Sequence, residues 1–306
     1  MMIVEPNTKE CDMAQRAVLV TGSSTGIGEA CTARMAAAGW RVYAGVRRPA
    51  DGERLMASHA GDIEPLIIDV CDQASIDAAI AHITASGTGL HGLVNNAGIS
   101  GGGPVELLEV EDWREVFETN FFGLLAVTKA AFPLIDAADG RFVHIGSIAG
   151  RVAAPGLGPY AATKHSVAAL NWSLRAELAR VGRMNSSVVE PGEIKTAIWD
   201  KAPRQIDDNV ERLERAGLTA RYEWLLDMIR GFVAEANEKA IDPDKVAEAV
   251  EHALTAKRPK ARYLIGIDAR VQAALALLPD RAREFALSKA QTIYINNGVK
   301  LRPGSS

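Results

Sequence analysis

The chain has 306 residues, and 34 basic against 38 acidic side chains leave a formal net charge of −4 and a pI near 5.9. That balance offers no basic field for nucleic acid. Hydrophobic residues make up 48% and charged residues an ordinary 24%, enough for a sizeable core, while no apolar run reaches membrane-spanning length.

Residues 1–15 lack an apolar signal core and read as a flexible leader. Short apolar runs then predict strands at 17–21, 41–46, 63–68, 90–95, 141–146, 185–190 and 262–266. Helical patterns at 27–38, 51–60, 74–85, 111–135, 160–181 and 243–256 fall between them. Seven mostly buried strands with intervening helices predict an α/β fold, with a doubly wound, mostly parallel sheet and helices on both faces. Such a sheet binds ligand at the carboxyl ends of its strands. Cys11, Cys31 and Cys71 have no metal-ligand spacing, six histidines are scattered, and His144 reads as a strand-core residue. No metal site is expected, and so few cysteines fit a reduced, cytoplasmic setting.

The first predicted strand, Ala17-Val18-Leu19-Val20, runs into Thr21-Gly22-Ser23-Ser24-Thr25-Gly26-Ile27-Gly28 and then an Ala-rich helical stretch ending at Gly39. A strand, a glycine-rich turn and a helix N-terminus form the geometry that receives a dinucleotide pyrophosphate. Gly22 permits the tight turn, Gly26 lets backbone approach phosphate, and Gly28 lets the helix pack on the sheet.

Downstream, GSIAGRVAAPGLGPYAATK carries Ser147, Tyr160 and Lys164, spaced thirteen and then four residues apart. A phenol with an ordinary pKa of about 10 is a poor acid or base at neutral pH. A lysine four residues on along a helix lies on the same face, and its ammonium is expected to pull the tyrosine down. Ser147 adds a hydroxyl to hold a substrate oxygen beside the phenol. The three form a proton-handling unit.

Together these strings resemble the short-chain dehydrogenase/reductase family in its compact branch. The match spans about residues 16–267 and includes TGSSTGIG at 21–28, Asp69-Val70, NNAG at 95–98, Asn120, Ser147, Tyr160, Lys164 and Pro191-Gly192-x3-Thr196. The resemblance implies one Rossmann-fold catalytic domain over 16–267 and a C-terminal helical extension over 268–306. It implies a catalytic set of Asn120, Ser147, Tyr160 and Lys164, with Asn120 kinking its helix and holding a water that leads to the lysine. The cofactor-binding set it implies begins with Gly22, Ser24, Thr25, Gly26, Ile27, Gly28 and Arg47. Asp69 would contact adenine and Val70 adjoin it, although a turn or helix-cap role is the plain alternative for Asp69. Asn95 would support the sheet centre, while Asn96, Ala97 and Gly98 lie along the cofactor. Tyr160, Lys164, Pro191, Gly192, Ile194 and Thr196 would complete the set, with Thr196 holding the nicotinamide carboxamide.

Cofactor choice turns on the end of the second strand, Arg41-Val42-Tyr43-Ala44-Gly45-Val46-Arg47-Arg48. An acidic residue there would accept bonds from the ribose 2′-hydroxyl and repel a 2′-phosphate. Val46 occupies the place instead and Arg47 follows it, so NADP is the expected cofactor, with NAD possible. Thr25 stands where many NADP-using relatives keep a second basic residue in the glycine loop. A solvated Arg47-Arg48 pair on a surface turn is the competing reading.

Residues 197–240 form an insertion within the catalytic domain, with Tyr222, Leu225, Leu226, Ile229 and Val233 at helical spacing. It reads either as a core-packing helix or as a substrate lid. The string Ala261–Arg270 and the apolar stretch 271–278 are more loosely similar to the steroid and retinol dehydrogenase subgroup. That similarity implies a lipophilic alcohol or carbonyl substrate, or else a tail that packs on a neighbouring subunit. The expectation is an NADP-dependent oxidoreductase with a small-molecule substrate, forming a homodimer or homotetramer with no nucleic acid and no transmembrane segment. A nucleotide-sensing binding protein and a sugar-nucleotide epimerase or dehydratase are the rivals.

Overall fold

A computed structural model describes residues 15–182, 184–196 and 202–301. The leader 1–14, with Cys11, and the start of the insertion, 197–201, lie outside the described residues. Seven strands form one parallel sheet: β1 (Ala17–Val20), β2 (Arg41–Val46), β3 (Ile63–Ile67), β4 (Gly92–Asn95), β5 (Arg141–Ile145), β6 (Asn185–Pro191) and β7 (Arg262–Ile265). Their spatial order is β3-β2-β1-β4-β5-β6-β7. The chain works outward from β1 to β3, then returns to lay β4 on the other side of β1. That reversal opens a crevice at the carboxyl ends of β1 and β4.

Period-two alternation divides the core between the two faces. Val18 and Val20 join Cys31, Met35, Val42, Val246 and Val250 on one side, under helices α1 (Gly26–Ala37) and α9 (Asp244–Thr255). Ala17 and Leu19 join Tyr43, Ile76, Ile135, Phe142 and Leu174 on the other. There the sheet is covered by α3 (Gln73–Ser86), α5 (Leu124–Ala137) and α6 (Gly158–Val181). The remaining early helices are α2 (Pro49–Ser58) and α4 (Val110–Phe117). His144 is fully buried on β5 with its Nδ1 3.1 Å from Asn95 Nδ2, and burial lowers its pKa to about 4, which keeps it neutral. Cys31 is a buried thiol pushed up to about 12, whereas Cys71 is exposed. No metal-competent cluster of His, Cys, Asp and Glu occurs among the described residues.

The helix expected at 111–135 proves longer and interrupted. It runs as α4, a π-helical turn over Glu118–Gly123, and α5. The whole span Val110–Ala137 is long and apolar enough to cross a membrane by length and composition, which the shorter apolar runs of the sequence do not suggest. Val127, Ala131 and Ile135 instead turn into the core against the sheet.

After β6 the insertion forms α7 (Ala202–Ala216) and α8 (Thr219–Lys239), and the C-terminal stretch forms α10 (Ile267–Leu275) and α11 (Asp280–Val299). α11 docks on α8 of the same chain, with backbone touching backbone. A Cβ on Gly298 would stand 1.7 Å from Asp227 O, and one on Gly231 would stand 2.1 Å from Tyr294 O. Small residues at both positions are what permit that approach. Gly298→Val should therefore lower stability by about 1–3 kcal/mol or more, since backbone cannot give way as a side-chain end can. A thermal melt indistinguishable from wild type would show that α11 does not sit on α8 in this way.

Candidate active site

The loop after β1 is built by positive-φ glycines at the turn and by direct contact at the helix start. Gly22 and Gly26 have φ of +66° and +60°, and a Cβ on Gly28 would lie 2.1 Å from Gly22 O. The hub of this loop is Thr21, which the motif reading passed over although it directly precedes Gly22. Its buried Oγ1 accepts the N–H groups of Asn96 and Ala97 at 3.0 and 3.1 Å. Asn96 Nδ2 returns bonds to Thr21 O and Gly22 O at 3.0 Å each. The segment after β4 is thus tied to the glycine loop across the crevice. One strand-end deeper, Asn95 Nδ2 donates to Thr128 Oγ1 at 2.8 Å.

At the end of β2, Val46 is buried and Arg47 is exposed with no salt bridge among the described residues. Arg48 is engaged: its Nε and Nη2 both donate to Asp51 at 2.9 Å. Arg54 on α2, not singled out by any motif, reaches the glycine loop. It donates to Ser24 O and pairs with Glu29 through Nη1 at 2.8 Å. Asp69 Oδ1 accepts from Cys71 N at 3.0 Å, a local turn, and its own N–H donates to Ser75 Oγ at 3.0 Å. The plain turn role read for Asp69 is therefore present, and Val70 beside it is buried.

Ser147 emerges just beyond β5, where its Oγ accepts Ala149 N at 3.1 Å. Tyr160 and Lys164 stand one turn apart on α6, with Lys164 Nζ 5.5 Å from the Tyr160 ring centre. Nζ donates to Ile145 O at 2.9 Å, and burial lowers its pKa to about 8. The expected lysine effect on Tyr160 does not dominate. Burial raises the phenol's pKa, and it is the hydrogen bond with Ser147 that pulls the other way. Desolvation disfavours a phenolate more than one hydrogen bond favours it.

Asn120 sits in the π-helical turn, almost fully buried. Its Oδ1 accepts Ile99 N at 2.7 Å, while Nδ2 donates to Ile99 O at 2.9 Å and Thr163 Oγ1 at 3.2 Å. Thr163 Oγ1 in turn donates to Tyr160 O at 2.7 Å. The side-chain amide therefore braces the strand-β4 segment against the catalytic helix, which explains a buried amide on an otherwise apolar helix.

These elements enclose a chamber of about 240 Å³. Of the residues expected from sequence, Ile27, Asn96, Gly98, Ser147, Tyr160, Lys164, Pro191, Gly192, Ile194 and Thr196 line it. Thr196 closes on the glycine loop, its Cγ2 2.9 Å from where a Cβ on Gly26 would stand. Gly22, Ser24, Thr25, Gly26, Gly28, Arg47, Asp69, Val70 and Ala97 stand outside it, as does Asn120 behind its wall. Among the lining residues that sequence reasoning missed are Glu193, Phe232, Asp268 and Gln272. The last three come from α8 and α10, and no local pattern marks them.

A second cavity of about 400 Å³ adjoins the first and shares Val152, Leu157, Phe232, Asp268 and Gln272 as walls. Its other sides are largely apolar, with Met228, Ile229 and Val233 from α8, Val271 and Leu275 from α10, and Leu287 from α11. Of the apolar face expected at 222–233, Ile229 and Val233 thus face the cavity. Leu225 and Leu226 are buried in packing, and Tyr222 Oη donates to Glu106 at 2.7 Å. The C-terminal tail, for which docking on another subunit was one expectation, packs on α8 of its own chain.

A glycine-loop cradle, an apolar chamber beside it and Thr196 closing over the loop fit a nicotinamide dinucleotide laid along the carboxyl edge. The short chain dehydrogenase family model matches residues 16–207. An NADPH-dependent 3-dehydrocapnine reductase of Ornithobacterium rhinotracheale is 31% identical over 289 residues, covering 87% of this chain and 94% of that protein. Retinol dehydrogenase 16 of Rattus norvegicus is 34% identical over 269 residues, covering 83% and 81%. The crystal structure of a short-chain dehydrogenase from Streptomyces avermitilis superposes with a TM-score of 0.71 at 28% identity, covering 91% of this chain and 97% of that one. With its parallel seven-stranded sheet and the family model matched over most of its length, the chain belongs to the short-chain dehydrogenase family, NAD(P)-dependent oxidoreductases of alcohol and carbonyl groups.

Proposed function

We propose that this enzyme interconverts lipophilic carbonyl compounds and their alcohols with NADP(H). The observation that carries this reading is the Ser147–Tyr160–Lys164 array walling a chamber that adjoins a larger apolar cavity. When bound, the reduced nicotinamide supplies a hydride to the carbonyl carbon. Tyr160 Oη gives its proton to the carbonyl oxygen as negative charge builds there, and Ser147 Oγ steadies that oxygen with a hydrogen bond. Lys164, cationic at neutral pH with a pKa of about 8, stabilises the phenolate left behind and holds the nicotinamide-ribose hydroxyls. Asn120 would support the proton supply from behind the chamber wall, where its amide ties the segment after β4 to α6. One carbonyl, one NADPH and one proton become one alcohol and one NADP⁺; oxidation is the reverse.

NADP over NAD rests on charge. Arg47 is an exposed cation without a salt bridge among the described residues, beside the apolar Val46, and Arg54 stands at the glycine loop. The name of the Ornithobacterium relative points the same way. Gly22, Ser24, Thr25, Gly26, Ile27, Gly28, Asn96, Ala97, Gly98, Pro191, Gly192, Ile194 and Thr196 would line the rest of the dinucleotide, with Asp69 and Val70 at its adenine. Helices α7 and α8 and the extension α10–α11 would form the substrate cover on a catalytic domain of 16–267. The name of the retinol dehydrogenase relative supports a lipophilic substrate. We read the chain as a cytoplasmic homo-oligomer that pairs through the 111–135 and 160–181 helical stretches, where Phe122 and Trp172 are half-exposed.

A panel of hydrophobic ketones and aldehydes assayed with both nicotinamides tests the reading. Stoichiometric loss of NADPH absorbance with alcohol formation is expected. An epimerase would return its hydride and show no net loss, and a sensor would bind nucleotide without turnover. Within that panel, Ile229→Ala should lower kcat/KM for large substrates more than for small ones, because up to about 0.8 kcal/mol is lost per buried methylene contact. Leu225→Ala should lower the melting temperature and leave size selectivity unchanged. Equal size selectivity in Ile229→Ala and wild type would remove the apolar cavity from substrate binding.

A further inference from the structure

Most polar side chains of the catalytic chamber already have work. Ser147, Tyr160 and Lys164 handle the reacting oxygen and its proton, and Asn96 and Thr196 brace or close the cofactor side. Asp268 Oδ2 accepts the Glu193 N–H at 2.7 Å and so pins the chain after Gly192. Ser100, Glu193 and Gln272 are left over, and of these only Glu193 carries a charge. The Glu193 backbone is rigid, because its carbonyl also accepts Ile241 N at 3.0 Å and Lys195 N donates to Ile241 O at 2.9 Å. Its half-buried carboxyl makes no hydrogen bond or salt bridge among the described residues.

The surroundings are short of positive charge. Asp268 on α10, Glu235 and Lys239 on α8, and the Tyr294 phenol on α11 face this carboxyl. Lys239 is itself taken by Glu235 at 3.0 Å and points largely to solvent. Burial first, and then the neighbouring Asp268 and Glu235 charges, push the Glu193 pKa up to about 7. A cation arriving there gains a charge-assisted hydrogen bond and relieves carboxylate repulsion. The location matters as well: Asp268, Phe232 and Gln272 wall both cavities, so Glu193 stands near the junction of the reaction chamber and the apolar cavity.

Resting on the oxidoreductase reading above, we infer that Glu193 selects substrates with an ammonium group near the reacting carbon and an apolar chain, that is, amphiphilic amino ketones and their amino alcohols. Ser147 and Tyr160 hold the carbonyl oxygen, Glu193 takes the ammonium with the Gln272 amide beside it, and the chain runs along Ile229, Phe232, Val271 and Leu275.

Calorimetric titration of the full-length protein saturated with NADP⁺ tests this, using octylamine and 1-octanol as matched probes. At pH 7.5 octylamine should bind about 10-fold or more tightly than octanol, the gain of one hydrogen bond between charged groups. Glu193→Gln should bring the ratio close to one. Equal affinities in wild type overturn the inference, as does a ratio that survives Glu193→Gln. Should that variant fail to fold, the wild-type pH dependence decides. The amine advantage must grow from pH 6 to pH 7.5 as the carboxyl ionises, and a flat or falling ratio overturns it. Turnover of uncharged ketones with NADPH reports on the oxidoreductase reading separately. Turnover without amine preference removes only the role of Glu193, whereas no turnover of any carbonyl with either nicotinamide removes the reading beneath it.

Discussion

Tyr160→Phe should lower kcat by about 10²–10⁴-fold, the usual worth of a positioned general acid, while leaving NADPH affinity close to wild type. The substitution removes one oxygen and its hydrogen bond to Ser147 and leaves the ring packed on α6. Single-turnover absorbance decay and calorimetry on a folded variant check both halves. Near-normal turnover would remove Tyr160 from the chemistry. Lys164→Met should differ by weakening nucleotide binding as well, if the ammonium also holds the ribose of the bound cofactor as proposed. Burial raises Tyr160 and lowers Lys164 to about 8, so the pH profile of wild-type reduction should fall on the alkaline side. Deprotonating either group removes the acid or the charge that supports it. A rate that rises steadily to pH 10 would contradict this assignment.

Arg47→Ala should weaken NADP(H) by about 1.5–3 kcal/mol, roughly 10- to 150-fold, if it removes one charge-assisted phosphate contact. NAD(H) affinity should change little, and equal losses for both nucleotides would show that Arg47 does not face the 2′-position. Arg48 is a poor substitute, because Asp51 holds its guanidinium at 2.9 Å through two nitrogens. Arg54 on α2 also reaches the glycine loop, but Glu29 holds its guanidinium through Nη1 and Nη2 at 2.8 and 3.0 Å. Adding Arg48→Ala or Arg54→Ala to Arg47→Ala should therefore cost little further NADP(H) affinity. Val46→Asp should move preference towards NAD(H), since a carboxylate repels the 2′-phosphate and accepts from a 2′-hydroxyl.

Much of the scaffold was legible in the chain because its signals are local. Each of the seven strands is a short apolar run whose neighbours alternate between two buried faces, and all seven occur within a few residues of the expected bounds. The glycine turn after β1 and the Tyr160–Lys164 spacing each depend on one turn of backbone, so motif and geometry coincide. Thr21 could have been read too, as the hydroxyl that opens the glycine turn.

The rest depends on which distant segments meet. Leu225 and Ile229 share one helix face in sequence, but only the docking of α8 under α11 decides that one packs and the other lines a cavity. The kink at Asn120 is expected only from the family resemblance, since the local pattern is helical, and the π turn lies where the amide reaches Ile99 and Thr163 together. The pKa of Tyr160 answers to burial, a property of the whole fold, and so moved against the expectation drawn from Lys164 alone. Arg54, Glu193 and Asp268 carry no motif because their partners lie 30, 48 and 75 residues away in sequence. Periodicity and turn chemistry determine elements one at a time. Charge and shape in the site come from elements brought together, and only the tertiary structure sets those distances.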